Sequence, residues 1–147
     1  MLQTILVGVD GSENAKRALD FAVELAKKFS ARLLLLSVYK HHSALESTYT
    51  LAGTRETAES PDQVLSQLAK QIVEAAAERV RQNGVDQVKT LVRRGPPART
   101  IVEEAKKQQA DTIVMGSRGL GDLSGFLLGS VSHKVSSLAE CTCITVK

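Results

Sequence analysis

The sequence predicts one doubly wound α/β domain, an open parallel sheet with helices on both faces. Three observations predict it. Five short apolar runs alternate with four segments whose apolar residues recur every three or four positions. The runs are continuous rather than alternating, as in strands covered on both faces. A length of 147 residues suits a single core. The resulting order, β-α-β-α-β-α-β-α-β, brings parallel strands together through crossover helices.

The first run, TILVGV at 4–9, ends at Asp10-Gly11-Ser12, a turn composition. Ala15, Ala18, Leu19, Ala22, Val23, Ala26 and Phe29 then form one stripe of an amphipathic helix, with Ser12 or Glu13-Asn14 near its start as cap. ARLLLLSV at 31–38 is the second strand. From Tyr39 to Pro61 periodicity is lost and polar residues accumulate. A loop of that length is unusual in a compact domain unless it is mobile or serves as a lid. Asp62 is the expected cap of the second helix, whose stripe is Leu65, Leu68, Ala69, Ile72, Val73, Ala76 and Val80. Asn83-Gly84 ends it, since glycine suits the left-handed position after a helix.

The third strand is expected at 88–92. Gly95-Pro96-Pro97 follows, placing proline in a first helical turn where its missing N–H costs nothing. Ala98, Ile101, Val102 and Ala105 mark the third helix. DTIVM at 111–115 is the fourth strand, Val131, Val135, Leu138 and Ala139 mark the fourth helix, and TCITV at 142–146 closes the chain as the fifth strand.

The stretch 115–131 carries the chemistry. Five of the ten glycines fall between Gly116 and Gly129, after an apolar strand and before a helix. A helix start offers unbonded N–H groups and the positive end of its dipole, and glycines let a ligand approach the main chain. No lysine stands where a P-loop needs one. Gly119-x-Gly121 is followed by Gly125, one residue too far for the dinucleotide fingerprint. What stands is Gly116-x2-Gly119-x9-Gly129-Ser130.

That spacing resembles the nucleotide signature of the universal stress protein family in its ATP-binding branch, G-x2-G-x9-G-[ST]. The likeness extends over essentially the whole chain, through ILVGVDGS at 5–12, GPPA at 95–98, ADTIVMGSRG at 110–119 and GSV at 129–131. It implies a Rossmann-like sheet of the adenine nucleotide α-hydrolase kind, in the order 3-2-1-4-5, with a ligand crevice between the first and fourth strands. It implies ATP, or AMP or ADP, as ligand, with Mg²⁺. Asp10 would contact the ribose or adenine region, Val38 would offer backbone groups to the adenine edge, and Val9 would line the base pocket. Gly116, Arg118, Gly119, Gly129, Ser130 and Val131 would surround the phosphates, with the Ser130 hydroxyl reaching a terminal phosphate or the Mg²⁺ ion. Each residue also has a plainer role. Asp10 fits a turn or helix cap, Val9 and Val38 fit the core, Arg118 fits a solvated loop cation, and Ser130 fits a cap of the fourth helix.

Composition narrows the rest. Aromatics are 3% with no Trp, and the net charge is +3 with basic residues scattered among acidic ones. Neither favours nucleic acid as a partner. No apolar run reaches membrane-spanning length and the N-terminus has no leader pattern. With Cys141 and Cys143 alone there is no disulfide framework, so the cytoplasm is the expected compartment and both cysteines read as small hydrophobes on one side of a strand. His41-His42 lacks a third metal ligand, and His133 reads as a helix-surface residue. A phosphorelay receiver is rejected, since Asp10 has no acidic neighbours and strand three ends in Arg93-Arg94.

No complete catalytic set is present, so the leading expectation is a stress-response regulatory module that binds ATP with slow or absent hydrolysis. A slow ATPase with the 39–61 loop as lid, and a dimeric scaffold with a vacant site, are the alternatives. Strand 142–146 would be an apolar, unprotected sheet edge, and both that edge and the family resemblance point to a homodimer through it. A regulatory protein partner would be further company.

Overall fold

The computed structural model describes residues 1–40, 60–119 and 129–147. Its elements are β1 (Thr4–Gly8), α1 (Glu13–Phe29), β2 (Arg32–Tyr39), α2 (Pro61–Gln82), β3 (Val88–Arg94), α3 (Pro97–Lys107), β4 (Thr112–Gly116), α4 (Ser130–Leu138) and β5 (Thr142–Val146). The five strands form one sheet in the order β3-β2-β1-β4-β5, every neighbouring pair parallel. The expected topology is therefore present. Most of the expected lid, residues 41–59, lies outside the described residues, as does His41-His42.

The continuous apolar runs work by alternation between two cores. Ile5 and Val7 of β1, with Leu33 and Leu35 of β2, pack on one face against α1 and α2. Leu6, Leu34 and Leu36 pack on the other, against α3 and α4. Because successive side chains point to opposite faces, a strand buried on both must be apolar at every position. Leu33 to Leu36 are all at most 1% exposed, and each such leucine stabilises the fold by about 1.5–3 kcal/mol.

Several ends differ from expectation. The cap of α2 is Ser60, not Asp62: the Ser60 hydroxyl accepts the Gln63 N–H at 3.2 Å, and the Gln63 side chain accepts the Ser60 N–H at 2.9 Å. Asp62 instead sits in the first turn and pairs with Arg94 at 3.2 Å. The cap of α4 is Gly129, so Ser130 is the first helical residue rather than a cap. Leu68, placed on the α2 stripe by spacing, is 51% exposed because the stripe that reaches the sheet runs through Ala69, Val73, Ala76, Ala77 and Val80. β3 runs on to Arg94, since its paired register with β2 extends to Tyr39↔Arg94.

At the amino ends of the central strands, one Asp111 oxygen accepts the N–H groups of Gln3 and Thr4, both at 2.7 Å. Those backbone donors, Thr4 first and then Gln3, hold the Asp111 carboxyl below its usual range. A depressed carboxyl stabilises the fold at pH above its unfolded value and loses that contribution as pH falls through the folded one. Asp111→Ala should therefore cost about 1 kcal/mol in urea at pH 7, a figure kept small by solvent screening. The cost should fade below about pH 4. An equal loss at pH 3 and pH 7 contradicts this account.

Candidate functional site

β1 and β4 pair over Ile5↔Thr112, Leu6↔Ile113 and Val7↔Val114 and then part. The helix after β1 packs on one face of the sheet and the helix after β4 on the other. The chain therefore leaves the two strands in opposite directions, and a crevice opens at their carboxyl ends.

Each wall of the crevice has a local cause. After β1 the chain turns through Gly11, whose φ of +84° suits a residue without a Cβ. Asp10 Oδ1 accepts the Ser12 N–H at 2.9 Å across this turn, and Ser12 Oγ accepts the Ala15 N–H at 3.1 Å to start α1. Asp10 thus makes the turn and lines the crevice as well, so its plain role and its ligand role coexist. Val9 is buried, and its N–H donates to the Leu36 carbonyl at 2.9 Å. In a parallel strand alternate residues direct their polar groups to the same side, so Val38, two beyond Leu36, addresses the space past the end of β1. That space is the crevice, which Val38 lines.

On the β4 side, Gly116 is required by packing. A Cβ there would sit 2.8 Å from both the carbonyl carbon and the Cβ of Asn14. The first glycine of the signature therefore lets α1 press its start against β4, a role distinct from ligand approach. Arg118, Gly119 and Val131 also line the crevice, as does Pro97 of α3, and its volume is about 160 Å³. Gly129 is buried and, like Ser130, is not part of that lining; Ser130 faces an adjoining trough between α3 and α4.

The sequence reading missed the clasp that closes the base of the glycine stretch. The Ser117 carbonyl accepts the Gly129 N–H at 2.6 Å and the Ser132 hydroxyl at 2.7 Å. The Ser117 N–H donates to the Val146 carbonyl at 2.7 Å, tying the clasp to β5. Ser117 Oγ accepts from Asn14 Nδ2 at 3.3 Å, tying it to α1. Both serines are buried. Serines at the two ends of a glycine-rich segment were the available signal, but their pairing depends on how the strand and helix meet.

A larger cavity of about 430 Å³ lies on the opposite face between α1 and α2. Its lining is mostly apolar, and its two cations are already engaged: Lys16 with Glu13 at 3.1 Å, and Arg79 with Asp20 at 2.7 Å. The sheet-end crevice lies instead against the first turns of α1, α3 and α4. Cys141 and Cys143 are half-buried, and burial pushes both thiols up in pKa, Cys141 and Cys143 alike, which makes them poor nucleophiles. Among the described residues no three His, Cys, Asp or Glu side chains converge as a metal site, and no helix is long and apolar enough to cross a membrane.

A parallel sheet in this order, with the start of α4 beside its switch point, defines the class of doubly wound α/β domains. The universal stress protein family's model matches residues 1–147, and the chain belongs to that family. It is 38% identical over 151 aligned positions to universal stress protein YxiE of Bacillus subtilis, with both chains covered completely. Among solved structures it resembles the hypothetical protein MJ0577, with a TM-score of 0.82 and 27% identity over 100% of this chain and 96% of that one. It also resembles a universal stress protein in complex with cAMP, with a TM-score of 0.74 and 28% identity over 99% and 97% of the two chains.

Proposed function

We propose that the chain binds an adenine nucleotide, ATP foremost, in the β1/β4 crevice and acts as a stress-response regulatory module with slow or absent hydrolysis. The observation that carries this is the convergence of Val9, Asp10, Val38, Gly116, Arg118, Gly119 and Val131 on one crevice. Those residues come from three strand ends and a helix start far apart in sequence. The relative solved with cAMP supports the adenine class of ligand. In this reading Val38's backbone meets the adenine edge and Asp10 the ribose. The first turn of α4, with Gly119 and Arg118, meets the first phosphates. A Mg²⁺ ion would be held mainly by the phosphates, with Ser130 Oγ at hand at the start of α4, because the described residues offer no metal-ligating cluster.

β5 stands at the sheet edge with one partner strand, β4, among the described residues. We infer that two copies pair through it as a homodimer.

Calorimetric titration with AMP tests the adenine reading. Binding should be measurable in the parent and weaker by about tenfold in Asp10→Ala, the loss of one charge-assisted contact. AMP heats indistinguishable from buffer would end it. Phosphate release from ATP tests the regulatory part: a rate abolished by Ser130→Ala would make the protein an ATPase instead.

A further inference from the structure

Beside the crevice, and sharing Pro97 and Val131 with it, runs the trough between the starts of α3 and α4, with a volume of about 930 Å³. The crevice alone is smaller than the roughly 300 Å³ at which pockets for drug-sized ligands begin. The trough supplies the missing room and a distinct chemistry. Lys40, Arg99 and Lys134 line it with His133, and no carboxylate of a described residue does so. Among the described residues none of these three cations enters an ion pair.

The helix starts reinforce the same sign. α1 and α2 close theirs with Ser12 and Ser60 and carry Glu13 and Asp62 in the first turn. α3 and α4 have neither a side-chain cap nor an acidic residue in the first turn. Both line the trough, α3 through Pro97 and Arg99 and α4 through Ser130 and Val131. Unbonded N–H groups at a helix start act as partial positive charge; α3 contributes only those of Ala98 and Arg99, since Pro96 and Pro97 have none, and α4 those of its first turn, beside three full charges.

We propose that the trough is a condensed-phosphate subsite continuous with the crevice, in which Lys40, Arg99 and Lys134 hold the distal phosphates of an adenine nucleotide and grade affinity by their number. This rests on the adenine reading of the crevice and adds to it the residues that choose among AMP, ADP and ATP. Each added phosphate brings more negative charge and further acceptor oxygens, and each moves further from the crevice toward these side chains. Base and ribose contacts are common to all three ligands, so chain length is read in the trough.

The experiment compares AMP, ADP, ATP and inorganic tripolyphosphate by calorimetry on the full chain and on the Arg99→Ala/Lys134→Ala double variant. Both side chains are exposed, and a thermal melt confirms that the variant is folded. The parent should bind ATP about tenfold or more tightly than AMP, with ADP between, and should bind tripolyphosphate. In the double variant the ladder should shrink to about threefold and tripolyphosphate binding should be lost. AMP affinity should stay within about twofold, and Arg99→Lys/Lys134→Arg should keep the ladder. Equal AMP and ATP affinities in the parent, or an intact ladder in the alanine variant, overturn the subsite while leaving the adenine reading in place. Tripolyphosphate binding that depends on Arg99 and Lys134, without AMP binding, upholds the subsite as an anion site and removes the adenine reading. Absence of binding by all four ligands overturns both.

Discussion

Gly116→Ala is expected to lower stability by about 3 kcal/mol, the upper range for forcing extra volume into packed structure. The new methyl carbon would lie 2.8 Å from the carbonyl carbon and Cβ of Asn14 and 3.0 Å from the Ala15 N. Two of these are main-chain atoms at the start of α1, so no rotamer change relieves the clash, and the helix start must move off β4. Asn14 would then lose Ser117, and with it one support of the clasp below the crevice. Folded Gly116→Ala should therefore bind nucleotide poorly even where enough of it survives to titrate. Gly8→Ala is the matched control. Its methyl would meet Ile101 Cδ1 at 3.7 Å and Met115 Cβ at 3.9 Å, ordinary contacts, and it should stay within about 1 kcal/mol of the parent. Urea midpoints that coincide for the two variants would falsify the packing role.

Arg93→Ala should cost about 2 kcal/mol at pH 7. Glu104 on α3 is 6% exposed, and its Oε1 accepts from Arg93 Nε at 2.8 Å while Oε2 accepts from Gln108 Nε2 at 3.3 Å. Burial by itself pushes the Glu104 carboxyl up. The hydrogen bonds from Arg93 and Gln108, with the Arg93 charge, outweigh burial and leave it below the usual range. Removing one partner of a fully buried pair costs about 3–5 kcal/mol, and the figure is reduced here because the Arg93 side chain is 37% exposed. The sign with pH follows. In the parent, the lowered carboxyl stabilises the fold above its unfolded value and stops doing so as pH falls through the folded one. In Arg93→Ala, burial is opposed only by the Gln108 hydrogen bond and the Lys107 charge, the carboxyl rises, and protonation relieves the buried charge. The stability gap between the two should be widest near pH 7 and narrow toward pH 4 in paired urea titrations. A gap independent of pH would mean that Arg93 acts through packing alone.

The central strands were legible because the two-sided burial of Ile5, Leu6 and Val7 and of Leu33 to Leu36 leaves an uninterrupted apolar signature. The signature glycines and Ser130 were legible as spacing, and the structure gathers most of their companions at one crevice. Ser60 was also readable, since Ser60-Pro61-Asp62-Gln63 has the three-residue step of a capping box, yet the more acidic Asp62 drew the assignment. Other features exist only after folding. Asn14 touches Gly116 across about a hundred residues of chain, and Ser117 meets Ser132 only because α4 returns beside the end of β4. The selection of Glu104 by Arg93, rather than a solvated arginine pair, likewise depends on where α3 lands on β3. Sequence spacing reports the faces of an element, whereas such contacts report how elements are set against each other.

The unequal treatment of the helix starts has a consequence for encounters in solution. Two of the four are neutralised within their own first turn and two are not, and the two that are not lie together on one face of the sheet, beside Lys40, Arg99 and Lys134. A small polyanion diffusing nearby is drawn to that face before touching anything, and dissolved salt weakens that pull. That local attraction is one that the modest overall charge of +3 conceals.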